Sequence, residues 1–148
     1  MGGLQFSILF RADAGPAIGS GHIMRCMALA QACKERGLAP AFLSSSLPEP
    51  LAKRLRSEDI PIHPLSSNPG SDADAAETSA LTRSARAAWI AIHGYRFPPE
   101  YQKYVSASGA RVLFIDDFSH CTSYHADSLL NQNSGANPSM YSGKLPKF

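Results

Sequence analysis

Leu4–Phe10 (LQFSILF), Arg11–Gly21 (RADAGPAIGSG) and the helix-patterned run from about Ser20 to Arg36 decide the fold class of this chain. The first piece is a short apolar run suited to a buried strand. The second is a loop punctuated by Gly15, Pro16, Gly19 and Gly21. In the third, Ile23, Cys26, Met27, Leu29, Ala30 and Cys33 form one apolar arc, Ser20 stands where an N-cap belongs, and Gly37 stands where the helix should stop. A strand that turns through glycines into a helix is the opening of a βαβ unit.

The pattern repeats along the chain. Strands are predicted at Ala39–Ser44, briefly at Ile60–His63, strongly at Trp89–His93 and Arg111–Asp116, and weakly at Ala126–Leu130. Helices are predicted around Pro50–Ser57, over Asp74–Ala87, and over Pro98–Ser108, where Pro98 and Pro99 occupy the tolerated first positions. Ser66–Asp72 reads as a polar loop. Alternation of this kind specifies an α/β domain with a parallel sheet of about four or five strands and helices on both faces. The domain is expected to occupy residues 1–130. Residues 131–148, rich in Asn, Ser, Gly and Pro, read as an irregular tail or a linker cut short before a second domain.

Composition narrows the function classes. The 148 residues are 44% hydrophobic and 18% charged, with a formal net charge of +2 and scattered basic residues. Nucleic acid is therefore not an expected partner. No apolar run approaches the length of a membrane span, and the start has no basic stretch leading into a long apolar core, so neither membrane nor secretion is expected. Met1-Gly2 invites myristoylation, but the first strand begins too soon after it. Three cysteines without a CxxC pair read as buried thiols in a reducing cytoplasm, Cys26 and Cys33 sharing one helix face.

Chemistry concentrates in Arg11-Ala12-Asp13 and Ile18-Gly19-Ser20-Gly21-His22. In open α/β sheets the carboxyl ends of the strands face the binding crevice. Gly19 and Gly21 let backbone approach a ligand closely, and free N–H groups at a helix start suit an anion. His22, in the first helical turn, meets the positive end of the helix dipole, which favours the neutral imidazole. A neutral imidazole can take a proton from water. Asp13 could orient or support it, and Arg25, one turn on, could clamp an anion or pair with Asp13. A packed, hydrogen-bonded histidine is the plainer alternative. Dinucleotide binding is not expected, because the third glycine of the fingerprint is missing and the second strand runs into Ser44-Ser45-Ser46 with no acidic residue.

Arg11–Ala14 with Ile18–Cys26 resembles the opening motif of UDP-2,4-diacetamido-2,4,6-trideoxy-β-L-altropyranose hydrolases, enzymes of pseudaminic acid biosynthesis related to spore-coat polysaccharide proteins. Three further segments follow in order: Trp89–Tyr95, ending in a Gly-Tyr turn; Val112–Asp117, with paired aspartates; and Ala126–Asn133. Together they span nearly all of residues 6–133. The resemblance implies a two-domain, glycosyltransferase-B-like architecture whose amino-terminal, Rossmann-like domain this chain would be. It implies hydrolysis of a UDP-sugar by water, with no cofactor and no metal. His22 and Asp13 are then the catalytic candidates, and Arg11, Gly19, Gly21, Arg25 and Tyr95 the substrate-binding candidates. Asp116 and Asp117 are expected to cap a strand end rather than hold a metal. Two departures stand out. His93 precedes the Gly-Tyr turn where the family carries an acid, and could be a strand-end surface residue or a substrate contact. Ser142–Phe148 does not continue the pattern. UDP is therefore expected to bind poorly to this chain alone, with a separate carboxyl-terminal domain as a partner. A glycosyltransferase-like domain and an inactive truncated remnant are the rival readings.

Overall fold

The computed structural model describes residues 5–146. The readings placed on Met1-Gly2, on Leu4 and on the last two tail residues lie outside the described residues.

Six strands form one parallel sheet: β1 (Ile8–Arg11), β2 (Pro40–Ser44), β3 (Ile62–Pro64), β4 (Trp89–His93), β5 (Arg111–Ile115) and β6 (Ser128–Leu130). Four helices lie between them: α1 (Gly21–Glu35), α2 (Glu49–Ser57), α3 (Asp72–Ser84) and α4 (Pro99–Ser106). The α/β class and the parallel sheet are as the sequence predicts, with one strand more than its upper count. The spatial order is β3-β2-β1-β4-β5-β6. The chain winds outward from β1 in one direction and then from β4 in the other, so the loops after β1 and β4 part and open a crevice at their carboxyl ends.

Alternation along the strands divides the core in two. Phe10, Phe42 and Ala91 pack with Ile23, Cys26, Met27 and Ala30 of α1 and with Leu55 of α2. Leu9, Leu43, Ile90, Val112 and Phe114 point the other way, into a second cluster with Ala75 of α3 and Tyr101 and Val105 of α4. Burial on both faces is why these strands read as apolar runs rather than alternating ones. Cys26 and Cys121 are buried, Cys33 is half-buried, and all three are free thiols. Among the described residues no helix is long and apolar enough to cross a membrane.

Helix ends carry the main local differences from expectation. Ser20 does precede α1, but its side chain makes no capping bond. Its backbone is already near-helical, φ −106° and ψ −8°, whereas a capping hydroxyl needs the extended conformation. Gly37 ends the helix as predicted, in the left-handed region (φ +76°), with its N–H on the Lys34 carbonyl. Helix α3 starts two residues before the predicted Asp74, because the Ser71 hydroxyl accepts from the Asp74 N–H at 3.1 Å and caps it.

Residues 131–146 are irregular apart from a 3₁₀ turn at Pro138–Tyr141, yet they are packed against the domain. Tyr141 is buried in the second core cluster. Its hydroxyl donates to Asp116 at 2.7 Å and accepts from Asn131 at 2.8 Å. Low apolar content hid this docking, since Tyr141 and Met140 are joined by polar anchors: the Asn131 amide, the Lys144 ammonium on Ser119, and the Lys144 carbonyl accepting from Tyr124 N–H. Tyr141→Phe keeps the ring and loses the bond to a charged group. It should cost about 1.5 kcal/mol, a fall of roughly 3–6 °C in the melting midpoint measured by circular dichroism. No shift at all would mean that the segment stays detached in solution.

Candidate functional site

The crevice at the ends of β1 and β4 is an open cleft of about 160 Å³, lined by Asp13, Ile18, His22, Gly94, Tyr95 and Phe97 among others. Three of the sequence-derived candidates, Asp13, His22 and Tyr95, line it.

His22 is the second residue of α1, and its ring closes onto the end of β4. The ring centroid lies 4.4 Å from that of His93 and 4.7 Å from that of Tyr95, nearly edge-on to the latter. Gly94, just after β4, is required by its backbone conformation and by Phe97 rather than by His22. Its φ of +151° is a conformation side chains avoid, and a Cβ there would sit 2.9 Å from the Phe97 ring and 3.8 Å from His22 Nδ1. His22 is 6% exposed, lines the cleft, and among the described residues receives no hydrogen bond on its ring. Burial, assisted by the Arg25 charge, holds the imidazole below the ordinary histidine range, against the opposing pull of Asp117 and Asp13. The direction is the one anticipated from the helix dipole, although burial is its leading cause.

Asp13 leaves β1 and turns toward the β2 end. Its Oδ1 accepts from the Ser44 hydroxyl (3.0 Å) and the N–H groups of Ser45 (2.7 Å) and Ser46 (3.0 Å). Its Oδ2 accepts from Arg11 Nη1 at 2.8 Å. None of these partners is His22, so any support Asp13 gives the imidazole acts through space.

Arg11 does not reach the cleft, which corrects its expected contact with substrate. The side chain is fully buried. Nε and Nη2 donate to the two oxygens of Asp74 at 3.1 and 2.7 Å, Nη2 donates to Ser45, and the guanidinium lies 4.9 Å from the centroid of the Phe97 ring. Every polar edge is spent on the framework. Asp74, itself fully buried, also accepts from Gly70 N–H, Thr78 and Tyr101.

Arg25 pairs with Asp117, not with Asp13. Its Nη1 lies 2.7 and 2.8 Å from the Asp117 oxygens and 3.3 Å from His93 Nε2. Tyr95, half exposed on the cleft rim, donates its hydroxyl to the same carboxylate at 2.7 Å, and Gln132 (3.1 Å) and Asn133 (3.3 Å) donate to it from beyond β6. Burial alone would raise the Asp117 pKa, but these donors hold it well below the usual carboxylate range. Burial and the Asp117 carboxylate push the Tyr95 phenol up to about 12. Asp116 diverges from its neighbour, as adjacent side chains must, and accepts from Tyr124, Tyr141 and His120, which organise the loop after β5.

His93 is neither a surface residue nor adrift from the site. It is 1% exposed, and burial first, then the neighbouring His22, lowers its pKa to about 4. The Ile115 carbonyl, 2.8 Å from Nδ1, can only accept. Nδ1 therefore carries the proton, and the Nε2 lone pair faces Arg25.

The glycines differ in kind. Gly19 needs its left-handed φ of +79° to close the paired turn onto Gly15. Gly21 has open space around it, with no atom within 4 Å of a would-be Cβ. Asp117, Asp74, Gln132 and Asn133 are the functional or framework residues that the sequence reading did not place in the site; His93, which it leaves open between a surface position and a substrate contact, lies on the cleft wall.

No family model matches this sequence. The UDP-2,4-diacetamido-2,4,6-trideoxy-β-L-altropyranose hydrolase of Campylobacter jejuni subsp. jejuni serotype O:2 is 29% identical to it over 140 residues. That match covers 94% of this chain and 46% of the relative, so the chain spans less than half the length of the curated protein it matches. The resemblance read from the ordered motifs is borne out by that similarity. Among solved structures, a glycosyltransferase from Rickettsia africae superposes with a TM-score of 0.58 at 19% identity, over 76% of this chain and 30% of the other. That likeness is one of fold, and agrees with the glycosyltransferase-like architecture expected from the sequence.

Proposed function

We propose that this chain is the histidine-bearing part of a nucleotide-sugar hydrolase that cleaves a UDP-linked 2,4-diacetamido-2,4,6-trideoxy sugar to UDP and the free sugar. The observation that carries the reading is the place of the His22 imidazole: it lines the cleft with no hydrogen bond on its ring among the described residues, and burial holds its pKa below the ordinary histidine range. Water attacks the anomeric carbon, its proton passes to His22, the bond from that carbon to the UDP oxygen breaks, and UDP leaves as the anion. Asp13 and Asp117 supply negative charge that eases the imidazolium formed on the way. In this reading Tyr95, which lines the cleft, touches the sugar.

The cleft volume supports a division of labour. Pockets for whole small-molecule ligands begin at about 300 Å³, and this one offers about 160 Å³. It has room for a sugar ring but not for a complete nucleotide-sugar. In this reading the nucleotide is held by a further domain, corresponding to the part of the Campylobacter relative that this chain does not span, and the protein works in the cytoplasm.

The test is UDP release from the UDP-linked sugar, followed with this chain alone and with that remaining part supplied in trans. Release that needs both pieces is expected. A mixture with no turnover in water, but with sugar transfer once an acceptor is added, would favour the glycosyltransferase reading that the shared fold keeps open. No turnover under either condition would favour an inactive remnant.

A further inference from the structure

We propose that His22, His93 and Asp117 form a Zn²⁺ site that the Arg25 guanidinium holds shut. The site stands on geometry alone; only its consequence for His22 as a base rests on the hydrolase reading. One donor atom from each of the three residues lies within 4.8 Å of the other two. Two imidazoles and a carboxylate are a donor set zinc accepts, with water in the fourth position.

Two features of the wall point to a ligand. His93 is already oriented: its Nδ1–H is fixed on the Ile115 carbonyl, which leaves the Nε2 lone pair directed at the cluster. This is the outer-partner arrangement that stands behind metal-ligating histidines. His22 is a buried polar ring on the cleft wall with no hydrogen-bond partner among the described residues.

What now occupies the space among these donors is itself a cation. Arg25 Nη1 sits against both Asp117 oxygens and faces His93 Nε2. Its side chain is 39% exposed, so it has a path to water. Zinc binding is therefore an exchange in which the metal enters and the guanidinium swings out. Bonds of about 2.0–2.1 Å in a tetrahedron place ligand atoms about 3.4 Å apart. Donor atoms now up to 4.8 Å apart must close by up to about 1.4 Å, and His22, anchored by no hydrogen bond among the described residues, supplies most of that movement. Once on zinc, His22 no longer has the lone pair that takes the proton from water, so an occupied site is an inhibited one.

Calorimetric titration of the full chain with zinc chloride tests the proposal. One zinc per chain is expected. Arg25→Ala should bind at least about tenfold tighter, because the competing cation is gone. His22→Gln, His93→Ala and Asp117→Asn should each bind at least about tenfold weaker. His22→Gln guards against misfolding of the other two, since the native ring carries no bond to lose. Equal affinity across the ligand variants, which would place the metal elsewhere (on Cys33, for instance), overturns the proposal. So does an Arg25→Ala chain that binds no tighter than the native one. If zinc binds in the expected pattern while the metal-free chain, completed in trans, releases no UDP, the hydrolase reading falls and the site stands.

Discussion

His22→Ala should lower UDP release by about 10²–10⁴-fold, the contribution of a positioned general base, in the assay where the chain is completed in trans. The loss should fall on kcat, with KM little changed, because the imidazole acts on the attacking water as the transition state forms rather than on the bound sugar. The environment makes this variant clean to interpret. The ring contacts His93 and Tyr95 but among the described residues anchors nothing by hydrogen bonding. Asp13, Arg25 and Asp117 keep their own partners when it is removed. The fold should survive, as an unchanged far-ultraviolet circular dichroism spectrum would show. Undiminished turnover would remove His22 from the mechanism. A rise in KM at constant kcat would make it a binding residue.

Local and non-local features were unequally legible in the sequence. Strand β4 is predicted at its observed bounds, since the apolar run Trp89–His93 stops at Gly94, whose φ no side chain would tolerate. The β1–α1 junction was legible because strand, glycine loop and helix follow one another in a short stretch, which brings Asp13 and His22 to the cleft; their spacing alone left a packed histidine open, and only the family resemblance proposed a catalytic one. The other half of the site was not. Asp117 reaches Arg25 across 92 positions of sequence, and only the placing of β5 beside β4 brings them together. The Asp116-Asp117 pair and the amides after β6 were visible as segments of a resemblance. Nothing in their spacing said that one aspartate turns toward Arg25 and Tyr95 and the other toward Tyr141. His93 was conspicuous as a departure from the family's acid, yet its role rests on the Ile115 carbonyl of the next strand. The bounds of β3 were predicted loosely because it is short, half-buried and ends at Pro64, so neither periodicity nor composition marks it sharply.

Arg11→Met should destabilise the domain by about 3–5 kcal/mol, the cost of leaving buried charge without its partner. The guanidinium lies between two carboxylates, Asp13 and Asp74, whose side chains are 5% and 0% exposed. Methionine fills similar space with no donor. Asp13 would keep Ser44 and the two backbone N–H groups of the β2–α2 loop, and Asp74 would keep Gly70, Thr78 and Tyr101. Each would lose its only cation among the described residues. Urea unfolding monitored by circular dichroism measures the loss as a lower midpoint at unchanged slope. Pairing the change with Asp74→Asn decides what the loss means. That second change removes one of the stranded charges, so the double variant should be more stable than the sum of the single effects by about 1–3 kcal/mol. Because Arg11 holds Asp13 and packs over Phe97, both on the cleft wall, the single variant should also disturb the site without having touched its ligand. An Arg11→Met chain of native stability that turned over substrate with a raised KM would restore the direct substrate contact and overturn the framework role.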